Sequence, residues 1–241
     1  MKKQDLMYSI SEQQKNNDSY WSIKSKFPDM MVTSIKRKRK NKKRLRIKRQ
    51  IGIGRCPMNI YETCPTLKSE RFILRLFQDE DCNDLLKVYS DKNALPFFNS
   101  DNCDGDNFYY ATEKRMKEAI RFWHMSYENG WFVRLSIVDK AILSVIGTVE
   151  LCLRVSDDKF NNMGILRVDV RSDYEQEDAL YDIFSLITPK LEELLGCKGV
   201  LTKAPIYAVE RMKAIQRLGF AKSKHLLIGK TGYAYDGYWT I

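Results

Sequence analysis

The sequence lacks the features of a membrane-spanning or secreted protein. None of its apolar runs approaches the roughly 20 residues that a helix needs to cross a bilayer. The first ten residues have no long apolar core and no small-residue cleavage site, which argues against a secretory signal. Four acidic residues among the first 29 argue against a mitochondrial transit peptide. We therefore expect a cytoplasmic protein without a membrane span.

Metal ligands and paired cysteines are also scarce. The chain has two histidines, and its six cysteines are spread without a C-x-x-C pair. Structural metal sites need clustered ligands, so this spacing predicts no metal site. In a cytoplasmic protein the same spacing predicts reduced thiols, most of them buried.

The positive charge of the chain lies in its first 57 residues. These contain 17 of the 41 Lys and Arg but only 4 of the 31 Asp and Glu, a net charge of +13 against −3 for residues 58–241. Apolar residues there show neither a helical nor a strand period, so we expect residues 1–57 to form a basic, disordered arm. The run KRKRKNKKRLRIKRQ at residues 36–50 would contact nucleic acid without sequence specificity, because no aromatic side chains alternate with its charges.

Two explanations of this arm stay open. It is either a tail that docks on RNA or a stretch upstream of the natural start, since the domain-like sequence begins just after Met58. Mass spectrometry of the protein from its natural host distinguishes them, through a mass that starts at Met58 or through peptides from residues 22–36. In both cases we expect residues 58–241 to fold on their own.

Residues 58–241 carry the hydrophobic periods of a mixed α/β (α+β) domain. The element order β-α-α-β-β-β-α-β-α-β-β predicts a mixed, mostly antiparallel central sheet flanked by helices. We expect Pro189 to kink or split the third helix and Gly219 to cap the fourth. The two long central strands are expected to meet in a hairpin at Asp139-Lys140. The predicted helices are residues 78–91, 109–127, 177–195 and 209–218, and the predicted strands are 71–77, 131–138, 142–155, 164–170, 197–204, 220–229 and 233–241.

Three stretches resemble the GNAT N-acetyltransferase superfamily, in particular its ribosomal-protein-alanine acetyltransferase branch. PTLKSERFILRLFQDEDCNDLLKVYSD (Pro65–Asp91) is similar to the opening strand and acidic helix start of that branch. VIGTVEL (Val145–Leu151) is similar to its third-strand signature, and AIQRLGF (Ala214–Phe220) to its closing Leu-Gly-Phe. The three lie in order and at the expected spacing, so the resemblance implies the GNAT acyl-CoA N-acyltransferase fold.

The resemblance implies that acetyl-coenzyme A lies in a cleft between two splayed strands. Its pyrophosphate would bind at a glycine-containing loop and a helix N-terminus. In this chain that loop has no glycine, and its carboxylates favour a helix start but should repel a pyrophosphate. Arg167 and Arg171 would offset this repulsion if both faced the cleft. The implied cofactor-binding positions are Val168, Val170, Arg171, Glu175, Gln176, Glu177, Asp178 and Ala179.

Asp169, on the strand before that loop, is the candidate catalytic base. Its place in an alternating strand leaves a solvent-facing role open. Tyr207 and His124 are weaker candidates, and a helix-surface or core position is the alternative for His124. The family's Asn, Ser and general-acid Tyr near the last helix fall on Ala208, Arg211 and Ile215.

Two functions from different classes remain open at this point. The first is an N-acetyltransferase that transfers an acetyl group from acetyl-coenzyme A to an amine, on a peptide N-terminus or a small molecule. Its activity is expected to be weak, because the pyrophosphate loop lacks glycine. The second is a catalytically degenerate GNAT-fold binding module that the basic arm tethers to RNA.

Overall fold

The computed structural model describes residues 59–241, so the predictions for residues 1–57, including the nucleic-acid contact at residues 36–50, lie outside the described residues. Within this range the chain forms ten strands and five α-helices. The helices are α1 (Cys82–Tyr89), α2 (Glu113–Asn129), α3 (Glu177–Ile187), α4 (Leu191–Leu195) and α5 (Val209–Arg217). The strands are β1 (Leu67–Lys68), β2 (Phe72–Leu76), β3 (Val133–Asp139), β4 (Ser144–Leu153), β5 (Gly164–Val170), β6 (Val200–Lys203), β7 (Ala221–Lys222), β8 (Leu227–Ile228), β9 (Ala234–Tyr235) and β10 (Tyr238–Thr240).

Eight of these strands form one sheet, in the order β1-β2-β3-β4-β5-β6-β10-β7, and β8 pairs separately with β9. Neighbouring strands run antiparallel except for β5 and β6, which are parallel. The predicted mixed, mostly antiparallel sheet flanked by helices is therefore confirmed.

Different helices cover the two faces of the sheet. One core cluster joins Val168 of β5 to Ile183 of α3 and Ile215 of α5. A second cluster joins Val145 of β4 to α1 and to Ile120 of α2. Since side chains alternate along a strand, Val168 of β5 faces the first cluster, while Arg167 and Asp169 point to the opposite face of the sheet.

Local chemistry sets most of the helix boundaries. The Thr112 side chain accepts the Arg115 amide at 3.3 Å and so begins α2. The predicted start at Tyr109 is wrong, because the residues before Glu113 form no helix and the Tyr110 amide donates to the Tyr89 carbonyl. Pro189 lies in a 3-10 turn that separates α3 from α4, so the predicted split is confirmed. Gly219 follows α5 with a left-handed φ of 89°, as a capping glycine should.

Two further sequence predictions concern membrane helices and cysteines. Among residues 59–241, no helix is long and apolar enough to cross a membrane. The five cysteines in this range form no disulfide bond, and Cys82 and Cys197 are buried.

Gly147 of β4 lies where the backbones of β4 and β5 approach closely. A Cβ atom on this residue would lie 2.3 Å from the Asp169 carbonyl oxygen and 2.9 Å from the Val170 Cα atom. We expect Gly147→Ala to lower the free energy of unfolding by about 1–3 kcal/mol, because backbone rather than a flexible side chain must move. Urea unfolding measures this.

Leu143→Gly is the matched control for Gly147→Ala in the same hairpin. Leu143 is 82% exposed and has a left-handed φ of 52°. Glycine adopts that backbone conformation without strain, so this substitution should leave stability unchanged or raise it. Equal losses in the two variants would contradict the steric argument.

Candidate donor cleft and buried charge cluster

β5 and β6 are adjacent parallel strands that separate along their length. Gly164 pairs with Val200 and Ile165 pairs with Leu201. β5 then continues to Val170 without a further partner on β6. The two strands therefore splay toward their carboxyl ends, which is the shape of cleft that the resemblance implies for the acetyl donor.

Two helices begin beside this cleft. α3 follows β5 after a 3-10 turn at Ser172–Tyr174. α5 begins at Val209, shortly after β6 ends at Lys203. Because contacts join the residues before α3 to the start of α5, both helix N-termini lie at the same end of the cleft.

A buried ion pair lies at this end of the cleft, between the starts of the two helices. Arg211 of α5 donates from Nε and Nη2 to the two carboxylate oxygens of Glu175, at 2.7 and 2.6 Å. Its third nitrogen, Nη1, donates to the main-chain carbonyl of Val168 at 2.7 Å. The Arg211 and Glu175 side chains are only 2% and 6% exposed. Burial by itself would lower the pKa of Arg211, but the Glu175 carboxylate more than offsets this and raises it.

The other carboxylates at the start of α3 are paired with cations of α5. Arg217 donates to Glu177 at 2.8 Å and to Asp178 at 2.9 Å. The Glu177 amide makes a long hydrogen bond of 3.4 Å to Glu210, which also pairs with Lys213 at 2.8 Å. In a phosphate site the helix N-terminus faces the ligand. Here it faces a carboxylate of the chain itself.

The two arginines suggested as counter-charges point elsewhere. Arg167 donates to Glu150 at 2.6 Å. Arg171 makes a bidentate pair with Asp173, at 2.6 and 2.7 Å. Both cations therefore already have carboxylate partners.

The remaining implied cofactor positions have structural roles. Val170 and Ala179 belong to the core cluster beneath α3. Gln176 is the residue before α3; its carbonyl accepts the Leu180 amide at 3.0 Å, while its side chain makes no capping hydrogen bond. The helix thus begins without the side-chain cap that often stabilises an N-terminus.

Asp169 is buried rather than solvent-facing, with 1% of its surface exposed. Its Oδ2 accepts the Tyr89 hydroxyl at 3.3 Å and lies 3.6 Å from Arg134 Nη1. Its Oδ1 is buried and has no hydrogen-bond partner among the described residues. Burial raises the pKa of Asp169, although Arg134 and Arg211 act in the opposite direction. A buried carboxyl with a raised pKa and an unsatisfied oxygen has the properties of a proton acceptor.

A cluster of buried charges extends from Asp169 across the same face of the sheet. Arg134 and Arg167 both donate to the carboxylate of Glu150. The Arg134 guanidinium also lies 4.5 Å from the centre of the Trp123 ring, a cation–π contact. Burial by itself would raise the pKa of Glu150, but Arg167 and Arg134 outweigh it and lower that pKa.

The weaker catalytic candidates lie outside this cluster. His124 is on the surface of α2, with Nε2 2.9 Å from Asp79. Tyr207 is 59% exposed and donates to the Pro96 carbonyl at 2.8 Å. Ala208 and Ile215 are buried apolar residues at the positions where the family has polar ones.

Sequence reasoning named Arg167 only as a counter-charge for the pyrophosphate loop and did not single out Arg134 or Glu150. Arg134, Glu150 and Arg167 stand inside otherwise apolar strands, which was the available signal. A charge at such a place is rarely buried without a partner. Arg211 had no comparable signal, because it occupies a polar-looking position on an amphipathic helix.

As arranged, these residues do not fit acetyl-coenzyme A in the manner that the resemblance implies. The Val168 carbonyl already accepts a hydrogen bond from Arg211, and the first amide of α3 already donates one to Glu210. The cavity that remains beside them has a volume of about 120 Å³. Cofactor and ligand pockets commonly have about 300–1,000 Å³. The main-chain splay suits the cofactor, but the side chains within it do not.

Comparison with known proteins supports the fold. No family model matches the chain, and no curated protein does. Among solved structures, it is similar to a GNAT-family acetyltransferase from Bacillus anthracis, with a TM-score of 0.55, 9% identity, and coverage of 73% of this chain and 98% of the other. It is also similar to the ribosomal-protein-S5-alanine acetyltransferase from Vibrio fischeri, with a TM-score of 0.54, 14% identity, and coverage of 73% and 94%. The chain therefore has the fold of the GNAT-family acetyltransferases.

Proposed function

We propose that this chain is an N-acetyltransferase that transfers an acetyl group from acetyl-coenzyme A to an amine of a peptide or protein. The observation that carries the proposal is the buried carboxyl of Asp169, on the strand that borders the splay. An ammonium group must lose a proton before it can attack a thioester, and a carboxylate with a raised pKa is suited to accept it. The similarity to a ribosomal-protein acetyltransferase supports a protein acceptor.

The residues around Asp169 have definable tasks in this reaction. Asp169 accepts the proton of the acceptor ammonium on a carboxylate oxygen. Tyr89 and Arg134 position that carboxylate through a hydrogen bond and a nearby positive charge. Arg134 is itself held by Glu150, so the proton acceptor stands on a rigid, buried scaffold.

A second candidate function is favoured by a different observation. The Arg211–Glu175 pair fills the donor cleft with groups of the chain itself. This favours a binding module that keeps the fold without acetyl transfer.

Binding of acetyl-coenzyme A to the full chain separates the two functions. An enzyme should be stabilised by about 2.7 kcal/mol when the ligand is at 100 times its Kd. It should also release coenzyme A when peptides with free N-termini are added. ATP at the same concentration is the control for binding of phosphate alone. If neither acetyl-coenzyme A nor coenzyme A stabilised the chain and no peptide were acetylated, the enzyme would be ruled out in favour of the binding module.

A further inference from the structure

We propose that the Arg211–Glu175 pair is a latch that closes the donor cleft in the free protein and opens when coenzyme A binds. The inference rests on the proposed function, since it concerns how the same cleft admits its ligand. It differs from the arrangement that the resemblance implies, in which a glycine-containing loop is open to the ligand. The latch has three supports in the structure: its anchoring, its place and its chemistry.

The pair joins three of the elements that border the cleft. Arg211 belongs to α5, Glu175 lies in the loop before α3, and the Val168 carbonyl belongs to β5. Three nitrogens of one guanidinium bind these two partners at 2.6–2.7 Å. A single side chain therefore holds a helix, a loop and a strand together at the mouth of the splay.

The pair lies where coenzyme A would have to enter the splay between β5 and β6. The Val168 carbonyl lies on β5 beyond the last residue that pairs with β6. A ligand that enters the splay must displace the guanidinium from this carbonyl. The cavity beside the pair, lined by Phe97, Tyr207 and Val209 among others, is too small to offer another route.

The chemistry of the pair suits an exchange of partners. Buried ion pairs contribute little net stability, because the cost of desolvating both charges offsets their attraction. Guanidinium binds phosphate in the same bidentate manner as carboxylate. Arg211 can therefore leave Glu175 for a phosphate of coenzyme A without losing an anionic partner, and the loop before α3 must then carry the Glu175 carboxylate into solvent. This gives a physical reason for a loop without glycine: the side chain of Arg211 takes over a task of the backbone amides.

The test uses the full chain with Glu175→Gln, called the cleft variant, which removes the anionic partner and keeps Arg211 for a phosphate of coenzyme A. The matched control is Glu113→Gln, which removes the same charge from an exposed ion pair with Lys117 on α2. Calorimetry measures the Kd for coenzyme A, and hydrogen exchange measures opening of residues 168–178 and 204–212. We expect at least tenfold tighter binding and at least tenfold faster exchange in these segments for the cleft variant alone. Should this variant not fold, Glu175→Asp, which keeps the charge but shortens the side chain, serves with the same readouts.

The two readouts keep the latch and the function distinguishable. Unchanged exchange in the cleft variant overturns the latch, whatever the affinity. Faster exchange with equal binding of coenzyme A to the cleft variant and the unaltered chain also overturns it, while the proposed function stands. Faster exchange without coenzyme A binding in either protein supports closure of the cleft by this pair but overturns the proposed function.

Discussion

Replacing Glu150 with alanine is expected to lower the free energy of unfolding by about 3–5 kcal/mol, the range for breaking a buried ion pair by removal of one partner. The carboxylate is 4% exposed and receives Arg134 and Arg167, which are 2% and 11% exposed. Its removal leaves two buried guanidinium groups without their shared anion. Arg134 is almost fully buried, so it cannot reach solvent without a rearrangement of the residues around it.

Urea unfolding followed by tryptophan fluorescence measures the effect, since Trp123 stacks on Arg134. The control is Glu113→Ala, which breaks an exposed pair on α2 and should cost no more than about 1 kcal/mol. Glu150→Gln keeps the shape and one acceptor oxygen but turns an NH2 group toward the other arginine, so its loss should lie between the two. A loss below about 1 kcal/mol for Glu150→Ala would mean that water already solvates these arginines.

The fold was largely predictable from local patterns. Alternation in RFILRLF and GILRVDV marks β2 and β5, and three- and four-residue steps mark α3 and α5. Pro189 separates α3 from α4, and Gly219 caps α5, as their backbone preferences predict. These features are local, so they can be read without knowledge of the tertiary structure.

The buried charge cluster depends on strand register, which was not predictable in the same way. Arg134 lies opposite Glu150, and Glu150 lies opposite Arg167, as cross-strand pairs. A tight turn at Asp139-Lys140, as predicted, would instead set Arg134 against residue 145 or 146. The observed connection is longer, spans residues 140–143, and has a register shift at Ile137. A few residues in one turn thus decide whether the charges meet.

The Arg211–Glu175 pair joins residues 36 positions apart on different elements. Residue types alone indicated that acidic side chains would repel a pyrophosphate from this loop. The structure pairs Glu175 with Arg211, and it pairs both Glu177 and Asp178 with Arg217, so two cations of α5 offset most of this negative charge. Only tertiary packing brings these charges together.

Asp169→Asn should lower kcat/KM for acetyl transfer by about 10²–10⁴-fold, the usual contribution of a general base. The loss follows from the proposed task of Asp169, because an amide cannot accept the proton of an ammonium. The pH profile gives a second readout. In the unaltered protein kcat/KM should rise with pH as Asp169 ionises, and this limb should be absent in the variant.

Stability should respond to Asp169→Asn in the opposite sense to activity. Burial raises the pKa of Asp169, so the folded state disfavours the ionised carboxylate more than the unfolded state does. Its charge therefore costs stability at neutral pH, and this cost disappears as the pH falls below the unfolded pKa. The amide removes the charge, so we expect unchanged or higher stability of the variant at pH 7 and no gain in acid. Asp157→Asn, at an exposed position, is the matched control and should alter neither activity nor stability. Loss of activity together with loss of stability would assign Asp169 to the scaffold instead of the reaction, whereas full activity of a stable variant would remove it from the reaction altogether.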